Sequence, residues 1–134
     1  MLSSFLKEVA CLEHYYTSDP ASEHRVSHVS AVLRGRSLSF VTDSGVFSRE
    51  AVDFGTRLMV ETLPPLSGRV LDLGCGWGLA GVYAALVCGA ENVVMTDIDP
   101  RAAALARRNA RKNGVEGVRV YTGDALEAVP DRAF

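Results

Sequence analysis

From Gly68 onward the chain alternates short, β-branched apolar runs with longer helical ones, and an aspartate stands at the end of each apolar run: Asp72, Asp97 and Asp124. Arg69-Val-Leu-Asp-Leu73 reads as a strand, Gly78 to Val87 as an apolar helix, and Asn92-Val-Val-Met-Thr96 as a second strand. Pro100 to Lys112 reads as a helix with proline in its first turn, Gly114 stands where a helix C-cap belongs, and Val118-Arg-Val-Tyr-Thr122 is the third strand. Alternation at this spacing predicts βαβαβ units with parallel strands and right-handed crossovers. A ligand is then expected at the carboxyl ends of the strands.

The residues before Gly68 follow another pattern. Residues 2–13 put Phe5, Leu6, Val9 and Leu12 on one helical face, and a polar, turn-rich stretch follows to Arg25. Arg25 to Leu33 and Ser37 to Thr42 alternate as two strands around Arg34-Gly35-Arg36, which predicts a β-hairpin. Ser48 to Leu63 carries Val52, Leu58, Met59 and Leu63 at helical intervals and stops at Pro64-Pro65. The expected organisation is a lead-in over 1–67 and a ligand-binding half over 68–134, together one domain. A length of 134 residues, with 48% hydrophobic and 22% charged content, fits that frame.

Composition excludes several classes. No apolar run approaches the ~20 residues needed to span a bilayer, and the N-terminus, interrupted by Lys7 and Glu8, lacks a signal-peptide pattern. The expected location is the cytoplasm. Cys11, Cys75 and Cys88 are odd in number and widely spaced, so they are expected as reduced thiols rather than a disulfide framework or a metal knuckle. His14, His24 and His28 have no ligand spacing, and no metal is expected. A net charge of -2 argues against binding nucleic acid by bulk electrostatics.

Between the first strand and its helix lies Gly74-Cys75-Gly76-Trp77-Gly78. Gly76-Trp77-Gly78-Leu79-Ala80-Gly81 matches the dinucleotide pattern G-x-G-x-x-G, with Asp97 following at about the 20 residues that a ribose-binding carboxylate takes. Three details oppose a dinucleotide. The strand itself carries Asp72, the first glycine of the turn is Gly74, and Asp124 adds a third carboxylate. A pyrophosphate would favour the helix N-terminus but would also meet uncompensated negative charge. S-adenosylmethionine has no phosphate, carries a sulfonium and an ammonium, and offers ribose hydroxyls to a carboxylate, so it suits the site better.

Val70-Leu71-Asp72-Leu73-Gly74-Cys75-Gly76-Trp77-Gly78 resembles the first motif of the class I S-adenosylmethionine-dependent methyltransferases. Met95-Thr96-Asp97-Ile98-Asp99-Pro100 resembles their second motif, and Thr122-Gly123-Asp124-Ala125-Leu126 their third. Thr42 to Ser48 and Val52-Asp53-Phe54-Gly55-Thr56 resemble the lead-in of a narrower group, the small-subunit ribosomal RNA guanine-N2 methyltransferases and their single-domain relatives (the methyltransferase small domain). The resemblance implies a Rossmann-like fold with S-adenosylmethionine as cofactor and ribosomal RNA as substrate. It further implies backbone approach to the methionine moiety at Gly74, Cys75 and Gly76, and orientation of the cofactor's amino end by Asp72. Asp97 would hold both ribose hydroxyls, Ile98 would pack on the adenine, Asp124 would accept from the adenine amine with the Ala125 amide nearby, and Phe47 and Ser48 would close the site.

One departure from that family stands out. Its Asn-Pro-Pro-aromatic motif, which aligns the acceptor amine at the end of a fourth strand, is absent, and no Asn-Pro dipeptide occurs in the chain. No catalytic residue is assigned, and the chain is expected to be an N-terminal fragment lacking the C-terminal half of the sheet, with an open sheet edge that favours self-association. Methyl transfer to a protein or small molecule, a non-catalytic cofactor-binding module and, more remotely, a nicotinamide oxidoreductase are the alternatives. Trp77 is expected to pack beside the turn, Asp53 to lie on a solvated helix face, and Arg101, Arg107, Arg108, Arg111 and Lys112 to form a solvated basic face.

Overall fold

The structure, a computed structural model, describes residues 26–43, 57–124, 127, 129–130 and 134. The helix expected over residues 2–13, the start of the helix expected from Ser48, and Asp53 lie outside the described residues.

Strands β1 (Val26–Leu33) and β2 (Arg36–Asp43) pair antiparallel, with Leu33 opposite Arg36 and Val32 opposite Ser37. The loop is therefore the two residues Arg34 and Gly35, at φ 48° and 78°. Positive φ at both positions matches the twist of the strands they join, which is why a glycine stands at one of them. Arg36, expected in the connection, is already strand. The Arg34 guanidinium donates to the carbonyls of Glu61 and Leu63 and so ties the turn to helical residues 57–62. Leu33, Leu38 and Phe40 face inward and are buried, while Val26 and Val32 stand on the exposed face.

The second sheet is parallel, in the order β3 (Val70–Leu73), β4 (Val93–Asp97), β5 (Arg119–Thr122). Helix α1 (Leu79–Cys88) joins β3 to β4, and α2 (Pro100–Lys112) joins β4 to β5. This is the Rossmann-like βαβαβ arrangement expected from the alternation. β4 starts one residue later than expected because Ala90–Asn92 form a short 3₁₀ turn, in which the Asn92 side chain donates to the Cys88 carbonyl at 2.7 Å and occupies the end of α1. Period-two alternation sorts the side chains. Val70, Val93, Met95 and Val120 face the helices in the main core, whereas Leu71 and Val94 pack with Val129 on the opposite face.

Helix α2 shows clear start and stop chemistry. Asp99 caps its N-terminus by accepting from the Arg101 amide at 2.9 Å, and Pro100 occupies the first turn. At the other end Gly114 takes φ 75°, the Gly114 amide donates to Arg111 and the Val115 amide to Ala110. That bond pair is a Schellman ending, and it buries Val115.

The hairpin joins the α/β half through α2. Leu33, Leu38 and Phe40 share one core with Trp77, Val82 and Ala106. At the edge of β2 the contact is polar. Asn109 accepts from the Val41 amide at 2.7 Å and donates to the Val41 carbonyl at 2.9 Å. Asn113 does the same for Ser39, at 3.1 and 2.8 Å. Four residues of helix rise about 6 Å and two residues of strand about 6.6 Å, so two side-chain amides on α2 match alternate residues of β2 as a neighbouring strand would.

Candidate functional site

The glycine-rich turn leaves β3 and folds back over the end of β4. The amides of Gly74 and Cys75 both donate to the Thr96 carbonyl at 2.8 Å, and the Gly76 amide donates to the Asp97 carboxylate at 2.9 Å. Gly74, Gly76 and Gly78 lie at φ 74°, 57° and 96°, a run that L side chains rarely adopt, so the path of the turn requires these glycines. Gly81 serves close approach instead. A Cβ there would collide with the Met95 sulfur, sit 2.5 Å from Met95 Cγ and 2.9 Å from Asp72 Oδ2. The four glycines thus bring α1 down onto the sheet at the point where the carboxylates gather.

Asp97 is the hub. It is 6% exposed, its two carboxylate oxygens accept from Gly76 and from Asp99, each at 2.9 Å, and its carbonyl accepts from the Gly123 amide at 3.0 Å. One residue therefore links the ends of all three strands. Ile98, beside it, is 57% exposed, an isoleucine left standing at the rim. Asp124 lies two residues beyond β5 on the exposed side of the same edge.

Asp72 departs from expectation. The pattern placed it at a strand end lining an open pocket with the other two aspartates. It lies instead inside β3, opposite Met95, on the face that packs under α1, and is 1% exposed. Neither carboxylate oxygen has a hydrogen-bond partner among the described residues. Burial, and to a lesser degree repulsion from Asp97, push its pKa from the ordinary 3.8 up to about 7, while the Gly81 amide favours the charged form without completing a hydrogen bond. Cys75 is affected in the same direction. Burial, Asp72 and Asp97 hold its thiol well above the usual range, with a smaller opposing pull from Arg107.

The structure thus brings Gly74, Cys75, Gly76, Asp97 and Ile98 to one edge, with Asp124 at its exposed side, whereas Asp72 is buried within β3 under α1. Ala125, Phe47 and Ser48 lie outside the described residues. Among the described residues no group of histidine, cysteine and carboxylate side chains is placed to hold a metal ion, and no helix is long and apolar enough to cross a membrane. A depression of about 500 Å³ lies on the hairpin between Ser30, Val32, Ser37, Ser39 and Arg57, and none of the site residues lines it.

Trp77 packs as expected, 2% exposed and edge-on to Phe40 with ring centroids 5.1 Å apart. The basic face of α2 is exposed at Arg101, Arg107, Arg108, Arg111 and Lys112 as expected, and within it Arg107 donates to the Val120 carbonyl at 2.8 Å and Arg101 pairs with Asp99. Sequence reasoning missed Asn109, whose Nδ2 also donates to the Trp77 carbonyl at 2.6 Å. The signal was available as two asparagines four apart on a helix beside an apolar face.

A profile of the methyltransferase small domain matches residues 37–134. The chain is 37% identical over 119 residues to the uncharacterized protein YbxB of Bacillus subtilis, covering 87% of this chain and 59% of that protein. It is 38% identical over 104 residues to ribosomal RNA small subunit methyltransferase C of Vibrio vulnificus, covering 78% of this chain and 30% of the relative. With ribosomal RNA large subunit methyltransferase G of Streptomyces avermitilis it shares 38% identity over 100 residues, 73% of this chain and 26% of the relative. The chain spans between about a quarter and three fifths of the length of these relatives. The parallel sheet, the glycine turn latched to Thr96 and Asp97, and a match over most of its length place this chain in the methyltransferase small domain family.

Proposed function

We propose that the carboxyl edge of the parallel sheet binds S-adenosylmethionine and supplies the donor site for methyl transfer to the exocyclic amine of guanine in ribosomal RNA, in the cytoplasm. One observation carries the cofactor reading: Asp72 is a buried carboxylate without a hydrogen-bond partner, beside a second carboxylate that repels it. Once Asp72 ionises, such a pair is short of positive charge, and a ligand ammonium or sulfonium nearby offsets it where a pyrophosphate would worsen the repulsion. The rest of the donor set fits the same ligand. Asp97, fixed at the end of β4 by the Gly76 and Asp99 amides, is a carboxylate whose oxygens can each accept more than one hydrogen bond, which suits it to ribose hydroxyls. Gly74, Cys75 and Gly76 offer backbone to the methionine moiety, Ile98 an apolar surface to the adenine, and Asp124 with the Ala125 amide hydrogen bonds to the adenine edge. Asp72 helps orient the amino end, directly or through water. When bound, the cofactor supplies an electrophilic methyl group, and the protein's part is to fix its position and exclude water.

The ribosomal RNA reading is supported by the relatives named as ribosomal RNA methyltransferases and by the lead-in residues Thr42 to Ser48. Calorimetric titration with S-adenosylhomocysteine and with NAD tests the cofactor, and tighter binding of NAD would overturn it. Radiolabelled methyl transfer to ribosomal RNA, to protein and to small amines tests the acceptor. Label in protein or small amines alone would move the activity to that class, and cofactor binding without any transfer would make the chain a binding module.

A further inference from the structure

We infer that Asn109 is a positioning residue that holds the glycine-rich turn from α2, so that ligand affinity at the turn depends on a side chain outside the binding edge. The turn is fastened to β4 by the Thr96 carbonyl and the Asp97 carboxylate. Its fastening to α2 is Asn109. This side chain is fully buried and spends both N–H donors and an oxygen lone pair on backbone: the Val41 carbonyl at 2.9 Å, the Trp77 carbonyl at 2.6 Å and the Val41 amide at 2.7 Å. Trp77 lies between Gly76 and Gly78, two of the three glycines whose left-handed backbone defines the path of the turn. Its ring meets Phe40 of β2, so the same strand touches the turn by a second route. Asn109 therefore sets three elements at once: α2, the edge of the hairpin and the turn.

Asn113 provides an internal control. It pairs with Ser39 of β2 in the same manner and donates to the Asn109 carbonyl, but it makes no bond to the turn. A role confined to joining the hairpin to α2 would have Asn109→Ala speed exchange at the turn amides no more than elsewhere in the core, although Asn109 is the more buried of the two. A positioning role separates them. The inference rests on the cofactor reading only for its ligand readout, and amide exchange in the ligand-free protein tests it independently.

The experiment compares Asn109→Ala and Asn113→Ala with the unaltered chain, using S-adenosylhomocysteine titration and residue-resolved amide hydrogen exchange. Asn109→Ala is expected to raise the Kd tenfold or more and to speed exchange at Gly76 and Gly78 more than elsewhere in the core. Asn113→Ala is expected to leave the Kd within twofold and those amides unchanged, while exchange at Ser39 quickens. If Asn109→Ala does not fold, Asn109→Ser, whose hydroxyl can still satisfy one backbone group, takes its place. Turn amides that exchange equally in both variants, or a Kd that shifts equally in both, would overturn the inference. Should the unaltered chain fail to bind S-adenosylhomocysteine, the cofactor reading falls, and the exchange at Gly76 and Gly78 alone decides the role of Asn109.

Discussion

Replacing Asp72 by asparagine should stabilise the ligand-free protein above neutral pH and weaken its hold on a cationic ligand. The native carboxyl holds its proton up to about pH 7, whereas the unfolded chain releases it near 3.8. Between these values the native state binds more protons than the unfolded state, so the contribution of Asp72 is fully favourable below about pH 4 and is lost as pH rises through 7. The gap is about three pH units at ~1.4 kcal/mol each, which makes the loss about 4 kcal/mol at pH 8. Asparagine has nothing to ionise, so the difference between the two proteins isolates this one group from the other carboxylates. Urea denaturation from pH 4 to 8.5 is the assay. The stability of Asp72→Asn relative to the original chain is expected to climb through pH 5 to 7 and level off above pH 8. A difference independent of pH would refute the argument, because it would mean that the native environment does not resist the charge. Saturating S-adenosylhomocysteine, whose ammonium offsets the carboxylate directly or through water in the proposed site, should restore much of the stability of the original chain and little of that of the variant.

Asp97→Ala should lower the affinity for S-adenosylhomocysteine by tenfold or more, ~1.5–3 kcal/mol for a charged acceptor, while Asp53→Ala should leave it nearly unchanged; equal losses by calorimetry would count against the site. Gly81→Ala should destabilise the protein by about 1–3 kcal/mol through overpacking against Met95 and Asp72. Trimming Met95 to alanine in the same chain should make the second change less costly than it is alone, and additive losses in a double-mutant cycle would exclude that contact. Iodoacetamide at pH 8 should label Cys88 before Cys75, because burial and two neighbouring carboxylates keep the Cys75 thiol protonated. Peptide mass spectrometry reads the order directly, and faster labelling of Cys75 would contradict the electrostatics.

The elements were readable because their periods differ. Val70–Leu73 and Val93–Asp97 are short, β-branched and mostly buried, Arg119–Thr122 is a short run around the buried Val120, and α2 carries its own start and stop residues, Asp99 with Pro100 and Gly114. The turn was readable because glycines at 74, 76 and 78 have few other uses. The direction of Asp72 was not read. Spacing along the chain put it near a strand end, but alternation within β3 aligns it with Val70 and Met95, under α1 and away from solvent. Asn109 and Asn113 were passed over because a polar residue on a helix reads as solvent-facing until the partner strand is placed. Their partners lie 68 and 74 residues away in the chain. Arg107 escaped for the same reason, since the Val120 carbonyl it meets becomes a neighbour only after β5 docks.

The pairing of Asn109 and Asn113 with Val41 and Ser39 also works as a ruler. One residue inserted between the two asparagines would swing the second by about 100° around the helix and turn its amide away from the strand. One residue inserted between Ser39 and Val41 would aim the following N–H and C=O groups at the opposite edge of the hairpin, because successive residues of an antiparallel strand present these groups to alternate sides. Side-chain changes at the intervening positions leave both distances intact. The two stretches, 109–113 and 39–41, should therefore hold their length fixed while the exposed Arg111 and Lys112 accept substitutions, and the buried Ala110 and Phe40 are held by the core as well, even though the first stretch ends a helix and the second lies on a strand.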